Sequence, residues 1–590
     1  MLSHPVHSVA LTILGLTTAK ALVAVGCLGV VFHRLYFIRG EHHLNGPLYL
    51  QIWLLVTVLL TSAIYFANSY ELEYYDGGTG SQVFLTSVLL NCSFFGFLFG
   101  SMAVYRLLEH PLRGFHGPQL AALSKLWHFW HMFITSNHIF LDDLYRKYGG
   151  IIRTGPQELT VVDPAVWQAV SGMGTTCIKS PWYDQLWPYV CLMSLRTKYG
   201  YAPRRKRWDE ALGLSATDLS NKACQIHHFA SLLLRHIQAS DGNPINVTLW
   251  FHNFAFDVIG DLAFGHSFSL IDDFASINRH HYTPTLLSQG ISMLGYFTPA
   301  PWTTRLCAVM APYVPLISQK WNRILDWAAD ICDARLAKAV SDKESQAGAF
   351  SRFTVSAHRD NDRDSLDRLA LYGDALLMTV AGSHTTTTTL TMLFYELSRR
   401  KELQEQVRKE IAAAGVMIAN ESGTGLNSEV DVTALERLPF LNACIDEALR
   451  LYPPVPTGGI RQTVQKGIRV GDAWIPPQTM TVAPRWSIGR LETALTEPNE
   501  FVPERWTTKR NMVKDARAFN AFGTGRHICP GKQLGLMEVR MVTVMIISNF
   551  EVAISPTEKR KSRVVDEFRD GFTGTPGTLE LVFTPLSRFA

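Results

Sequence analysis

The sequence predicts a mainly α-helical protein with small β-sheets, preceded by N-terminal transmembrane helices. Three observations lead there: three long apolar runs in the first 107 residues, a succession of helical windows beyond residue 120, and a few short β-branched or alternating stretches. Composition agrees. Of 590 residues only 18% are charged, below the usual quarter, while 47% are hydrophobic. A net charge of +4 is too weak to argue for nucleic acid. The nine cysteines are odd in number and form no Cys-x-x-Cys pair, so zinc ribbons and thioredoxin chemistry are excluded and no disulfide framework is indicated.

The apolar runs come first, at 8–32, 49–67 and 83–104, each long enough or nearly so to cross a ~30 Å hydrocarbon layer. Arg34 and Arg39 follow the first run, Glu71, Glu73 and Asp76 follow the second, and Arg106 and Arg113 follow the third. The positive-inside bias then places the N-terminus in the lumen and both the first loop and the main body in the cytosol. Lys20 falls mid-run, where it costs roughly 3 kcal/mol unless it snorkels or pairs. A cleaved signal peptide fits poorly, because the runs repeat and the first is too long. Residues 1–107 are therefore expected to form a membrane anchor. The segment HPLRGFHGPQL, with Pro111, Gly114, Gly117 and Pro118, reads as a stiff hinge over 108–119.

Residues 120–590 read as one catalytic body without repeats. Windows such as 365–401 and 434–452 are helical, GIIRTG, LTVVD and GTLELVFTP suggest small sheets, and 413–428 is a polar, glycine-bearing loop. The sequons at Asn246 and Asn420 would be unused in the cytosol, and that at Asn91 lies inside a span.

Three stretches carry candidate chemistry. In the helical window 371–400, Gly382 costs about 1 kcal/mol against alanine and the run Thr385–Thr389 is poor helix material. A hydroxyl at Thr385 can bond the Ala381 carbonyl, opening a polar notch or merely bending a buried helix. Glu447 and Arg450 sit three apart on one helix face, so they can pair, with Arg505 of FVPERW as a possible third member. In FGTGRHICPG, Cys529 follows a Gly-x-Gly turn and precedes Pro-Gly and a helical run. Such a loop would hold the sulfur fixed and leave its surroundings open, although most free cysteines are simply buried.

The order of AGxxTT helix, Glu-x-x-Arg, Pro-Glu-Arg-aromatic and FxxGxxxCxG resembles the cytochrome P450 family, the haem-thiolate monooxygenases, over about residues 110–590. The resemblance implies a cytochrome P450 fold and haem b as cofactor. It makes Cys529 the axial thiolate ligand of iron, a ligand that favours O–O cleavage. By the same resemblance Phe522 packs near the sulfur, and Gly525 and Gly531 permit the turn and free amides for the thiolate. Arg461 and Arg205 are the expected propionate partners. His527 stands where the family usually has arginine, as a weaker permanent cation. Glu447, Arg450 and Arg505 resemble a buried structural triad. Thr385 matches the threonine that helps protonate bound dioxygen. His384 replaces the usual acid before it, so it is either an altered proton relay or a histidine without a role.

The stretches HPLRGFHGPQLAALSKLW and FAFDVIGDLAFG resemble fungal family members that modify secondary metabolites such as terpenoids, polyketides and indole alkaloids. The implied activity inserts one oxygen atom from dioxygen into a hydrophobic small molecule, with electrons from NADPH through a cytochrome P450 reductase. The implied setting is a multi-pass protein of the endoplasmic reticulum membrane. Arg204, Arg205, Lys206, Arg526, Lys532 and Arg540 are candidates for steering the reductase, or are plain surface charges. Two alternatives stay open: haem-thiolate chemistry without monooxygenation (isomerase, dehydratase or peroxide-using), and a non-catalytic membrane scaffold.

Overall fold

The computed structural model describes residues 18–586, apart from breaks at 72–78, 187–188, 213–215, 311–314, 417–430, 557–562 and 572 and most of 273–298 and 342–366. Part of the first apolar run, most of the 413–428 loop and the Asn420 sequon lie outside the described residues.

Three apolar helices open the chain: α1 (Thr18–Phe32), α2 (Gly46–Glu71) and α3 (Thr79–Val104). With their flanking turns they give candidate spans at Ala19–Phe37, His43–Phe66 and Gly80–Glu109. Lys20 is exposed, and residues 8–17 of its apolar run lie outside the described residues. Small residues let α1 and α3 cross closely: a methyl on Gly29 would lie 2.4 Å from the Phe94 carbonyl. Ser93 also donates to the Leu22 carbonyl at 2.7 Å. On α2, Trp53 donates to Asn91 of α3 at 2.7 Å. Between lipid-facing helices such bonds replace the water that is missing.

The segment after the third span is packed rather than free. Pro111–Gly114 forms a 3₁₀ turn whose Leu112 is fully buried, and Arg153 donates to the Arg106 carbonyl at 2.9 Å. The body that follows is helical, with α4 (Lys198–Leu212), α5 (Ala216–Ala239), α6 (Val247–Phe264), α7 (Pro301–Met310), α8 (Arg368–Arg399), α9 (Lys401–Ala413), α10 (Pro439–Leu451) and α11 (Lys532–Asn549). The core lies where α6, α8, α10 and α11 meet, around Phe251, Phe254, Leu390, Phe394, Ile445 and Met541.

A five-stranded sheet combines β1 (Ile151–Gly155), β2 (Glu158–Val161), β3 (Ile178–Lys179), β4 (Arg461–Gln462) and β5 (Met480–Val482). Its order is β1-β2-β5-β4-β3, with β2 and β5 parallel. Near the C-terminus β6 (Phe550–Ile554) pairs with a later strand, Glu580–Pro585, while β7 (Arg569–Gly571) and β8 (Thr573–Thr575) make a small hairpin.

The long helix α8 forms despite its threonines. Asp367 caps it by accepting the Ala370 amide at 3.0 Å. Its hydroxyls bond carbonyls four residues back, including Thr385 to Ala381 at 2.7 Å and Thr389 to Thr385 at 2.8 Å. Gly382 is needed for packing: a methyl there would meet the Ile259 side chain at 2.6 Å, so α8 lies directly on α6. The helix is continuous across this point.

Candidate active site

The cysteine loop is built by its glycines. Gly525 has φ +67°, and a methyl on it would sit 1.9 Å from the Ser171 carbonyl, so no side chain fits. The turn closes with the Cys529 amide donating to the Phe522 carbonyl at 2.9 Å. Burial pushes the Cys529 thiol up, opposed by a hydrogen bond from the Gly531 amide and by the charges of Arg205, Arg485 and Lys532. The sulfur is deep in the fold yet has open surface, because it faces a cavity.

That cavity has two adjoining lobes of about 340 and 290 Å³, both lined by Cys529, Phe522, His527, Arg461, Ala381 and Thr385. Thr385 of α8 and Cys529 thus look into one slot. His384 does not. It is buried on another side of α8, with its ring 5.7 Å from that of His252 and 5.9 Å from that of Phe256. It lines neither lobe, and burial lowers it to about 4, so it is neutral at physiological pH. His384 is therefore set apart from the slot that Thr385 and Cys529 share, because adjacent helix positions point in different directions and α6 packs over this one.

One side of the slot is ringed with cations. Arg461 donates to the Tyr183 hydroxyl at 2.6 Å, and its buried Nε has no partner among the described residues. Arg205 lines neither lobe; it donates to the Ile528 carbonyl of the cysteine loop at 2.6 Å and pairs with Asp209. Lys179 is buried with its ammonium on the Leu192 and Met193 carbonyls at 3.0 and 2.8 Å. Arg485 is held by the Asn520 carbonyl at 2.7 Å. His527 packs edge-on against Tyr201, and its buried Nδ1 has no partner among the described residues. Burial and then Arg461 lower Lys179 to about 7, and burial with the surrounding cations lowers His527 to about 2. His527 is therefore neutral, and the positive charge of the rim rests on Arg461 and Arg485 with Lys179 nearby, a setting that favours an anion.

The remaining expected residues fall as follows. Glu447 receives two bonds from Arg450, at 2.8 and 2.7 Å, one from Arg505 at 2.9 Å and one from the Trp506 indole at 2.9 Å. Burial pushes its carboxyl up, but these partners outweigh it and hold it below the ordinary value. Two members of the suggested basic patch are buried in pairs, Arg204 on Asp374 at 2.7 Å and Arg540 on Asn442 at 2.8 Å and Glu436 at 3.2 Å, while Lys206 is exposed. Lys179 and Arg485 were not expected at the rim. Nor was Glu538, a buried acid on α11 that lines one lobe, faces the Thr386 hydroxyl and is raised by burial to about 8. Its only sequence signal is an acid inside the apolar run LGLMEVRMV.

A family model described as Cytochrome P450 matches residues 123–582. The chain belongs to the cytochrome P450 family. It is 32% identical to cytochrome P450 monooxygenase FCK2 of Fusarium pseudograminearum over 563 residues, covering 94% of this chain and 96% of that one. It is 34% identical to cytochrome P450 monooxygenase orf5 of Eupenicillium brefeldianum over 493 residues, covering 82% and 94%. Tryprostatin B 6-hydroxylase of Aspergillus fumigatus is 31% identical over 533 residues, 90% of each chain. The protein is thus an enzyme of the P450 monooxygenase type, for which the family implies haem iron held by a cysteine thiolate. The slot fits that group: Cys529 faces the cavity, and Arg461 Nε and His527 Nδ1 in its lining, without partners among the described residues, would suit the propionates.

Proposed function

We propose that this P450 inserts one oxygen atom from dioxygen into a hydrophobic fungal secondary metabolite of the terpenoid, polyketide or indole alkaloid kind. The observation that carries the proposal is that Cys529 and Thr385 line the same cavity from separate elements. When bound, haem supplies the activation of dioxygen. The protein residues do the rest. Cys529 would hold the iron, and the Gly531 amide would temper the basicity of the sulfur. Arg461, Arg485 and His527 would orient the propionates, and Arg205 braces the cysteine loop through the Ile528 carbonyl. Thr385, half-buried with its hydroxyl on the Ala381 carbonyl, holds a proton beside the dioxygen side of the slot. Apolar walls from Leu377, Val380 and Trp182 exclude water and favour an apolar substrate.

Electrons would reach the site from NADPH through a partner reductase. The setting would be multi-pass in the endoplasmic reticulum membrane with the catalytic body in the cytosol, as the positive-inside charge pattern suggests. The Glu41–Arg196 contact accords with the first inter-span loop lying on the same side as that body. Cys529→Ala is expected to abolish the thiolate-type absorption band of the reduced, carbon monoxide-bound protein, and an unchanged band would remove this ligand. Turnover under labelled dioxygen should put label in the product. Unlabelled product would favour isomerase or dehydratase chemistry instead.

A further inference from the structure

The loop between the first two spans does not simply connect them. Its Glu41 carboxylate receives two parallel bonds from Arg196, at 2.7 and 2.6 Å. The same guanidinium reaches Asp184 at 2.8 Å and donates from Nε to the Lys179 carbonyl at 3.0 Å. From the loop side, His43 places Nε2 2.9 Å from Asp184. Helix α7 packs against 43–45, α2 and the turn Pro181–Leu186, closing the joint. Arg196 is only 16% exposed and Asp184 17%, while Glu41 at 37% is the outer member, so the inner part of the network is shielded from solvent and salt.

What the network touches gives it meaning. The turn Pro181–Leu186 carries Trp182 and Tyr183 into the cavity wall, and Tyr183 accepts the Arg461 bond. Met193, three residues before Arg196, lines both lobes. One guanidinium therefore joins the membrane anchor to the backbone that shapes the slot.

We infer that Glu41 and His43 are positioning residues. Through Arg196 and Asp184, the first inter-span loop sets the placement of the Trp182–Tyr183 wall and hence how tightly the cavity holds its ligand. This rests on the proposed haem-enzyme function. Loss of the anchor contact loosens the wall and leaves the iron ligand untouched, because Cys529 is held by a separate loop.

The test uses the full-length holoenzyme in lipid nanodiscs and two probes read by the shift of the haem absorption band. Imidazole is small and reports mainly on the iron, whereas 4-phenylimidazole also meets the cavity wall. Glu41→Gln is expected to weaken 4-phenylimidazole about fivefold while leaving imidazole unchanged, and Glu41→Asp to restore most of the loss. Arg196→Gln should give a similar change, and the two glutamine variants combined should add little to either alone. Equal weakening of both probes, no weakening of either, additive effects, or loss of the thiolate band in the Glu41 variant would each overturn the inference. Absence of the thiolate band in the wild-type holoenzyme would instead overturn the function beneath it.

Discussion

Arg505 reaches Glu447 at 2.9 Å across 58 positions of chain, and neither side chain has any exposed surface. With Arg450 on the same carboxylate, this is a buried ion triad whose polar atoms are bonded further to the carbonyls of Gly489, Pro498 and Thr496. Removing one charge leaves the others uncompensated in a low-dielectric interior. Glu447→Gln is expected to cost about 3–5 kcal/mol, read as a lowered denaturant midpoint of the holoenzyme. A loss under about 1 kcal/mol would show that the triad does not secure the fold.

Thr385→Ala removes the one hydroxyl this reading assigns to proton delivery. Product formed per dioxygen consumed should fall, with peroxide released in its place, and the product rate should drop up to roughly 10²-fold. Unchanged coupling would rule the role out.

His384 predicts a different pH signature. Its folded value, about 4, lies below the ordinary 6.5, so the unfolded chain binds the proton more readily between those values. The stabilisation is complete above pH 6.5 and is lost as pH falls towards 4, with an upper bound of about 3 kcal/mol. His384→Gln should flatten that acid slope in denaturant titrations while leaving coupling unaltered. A coupling defect in the variant would return His384 to the relay.

Glu538 acts in the opposite sense. Burial raises it from 4.5 to about 8, so the folded state keeps a proton that the unfolded state has already released. Stability is full below the unfolded value and declines as pH rises towards 8. Glu538→Gln should therefore gain stability relative to wild type at pH 8 but not at pH 5. Parallel pH curves for the two proteins would contradict this.

Gly525→Ala should prevent haem loading, since a methyl would sit 1.9 Å from the Ser171 carbonyl at a φ of +67°. The ratio of haem absorbance to protein absorbance would read it, and a normal ratio would contradict it.

Much of this was legible in the chain because the signals are local. The cysteine loop announces itself by turn glycines, and the Glu447–Arg450 pair by helix spacing. The three apolar helices follow from hydropathy, and the Thr385–Ala381 bond from threonine chemistry. Other features depend on convergence. Lys179, Arg485 and Arg461 come to one rim from β3, a helical turn and β4, and nothing local to any of them tells of the others. His384 shows the same limit: the helix was readable, but which face α6 would cover was not. Glu41 and Arg196 lie 155 positions apart, beyond the reach of any periodicity.

The crowd of positive groups around Arg461 has a consequence for biogenesis. Like charges held close repel, and here the fold contains them with carbonyls and aromatic rings more than with carboxylates. Porphyrin delivery would relieve that repulsion and draw the polypeptide into its final packing by mass action. Supply of the pigment, as much as synthesis of the chain, would then decide how many molecules mature in the cell.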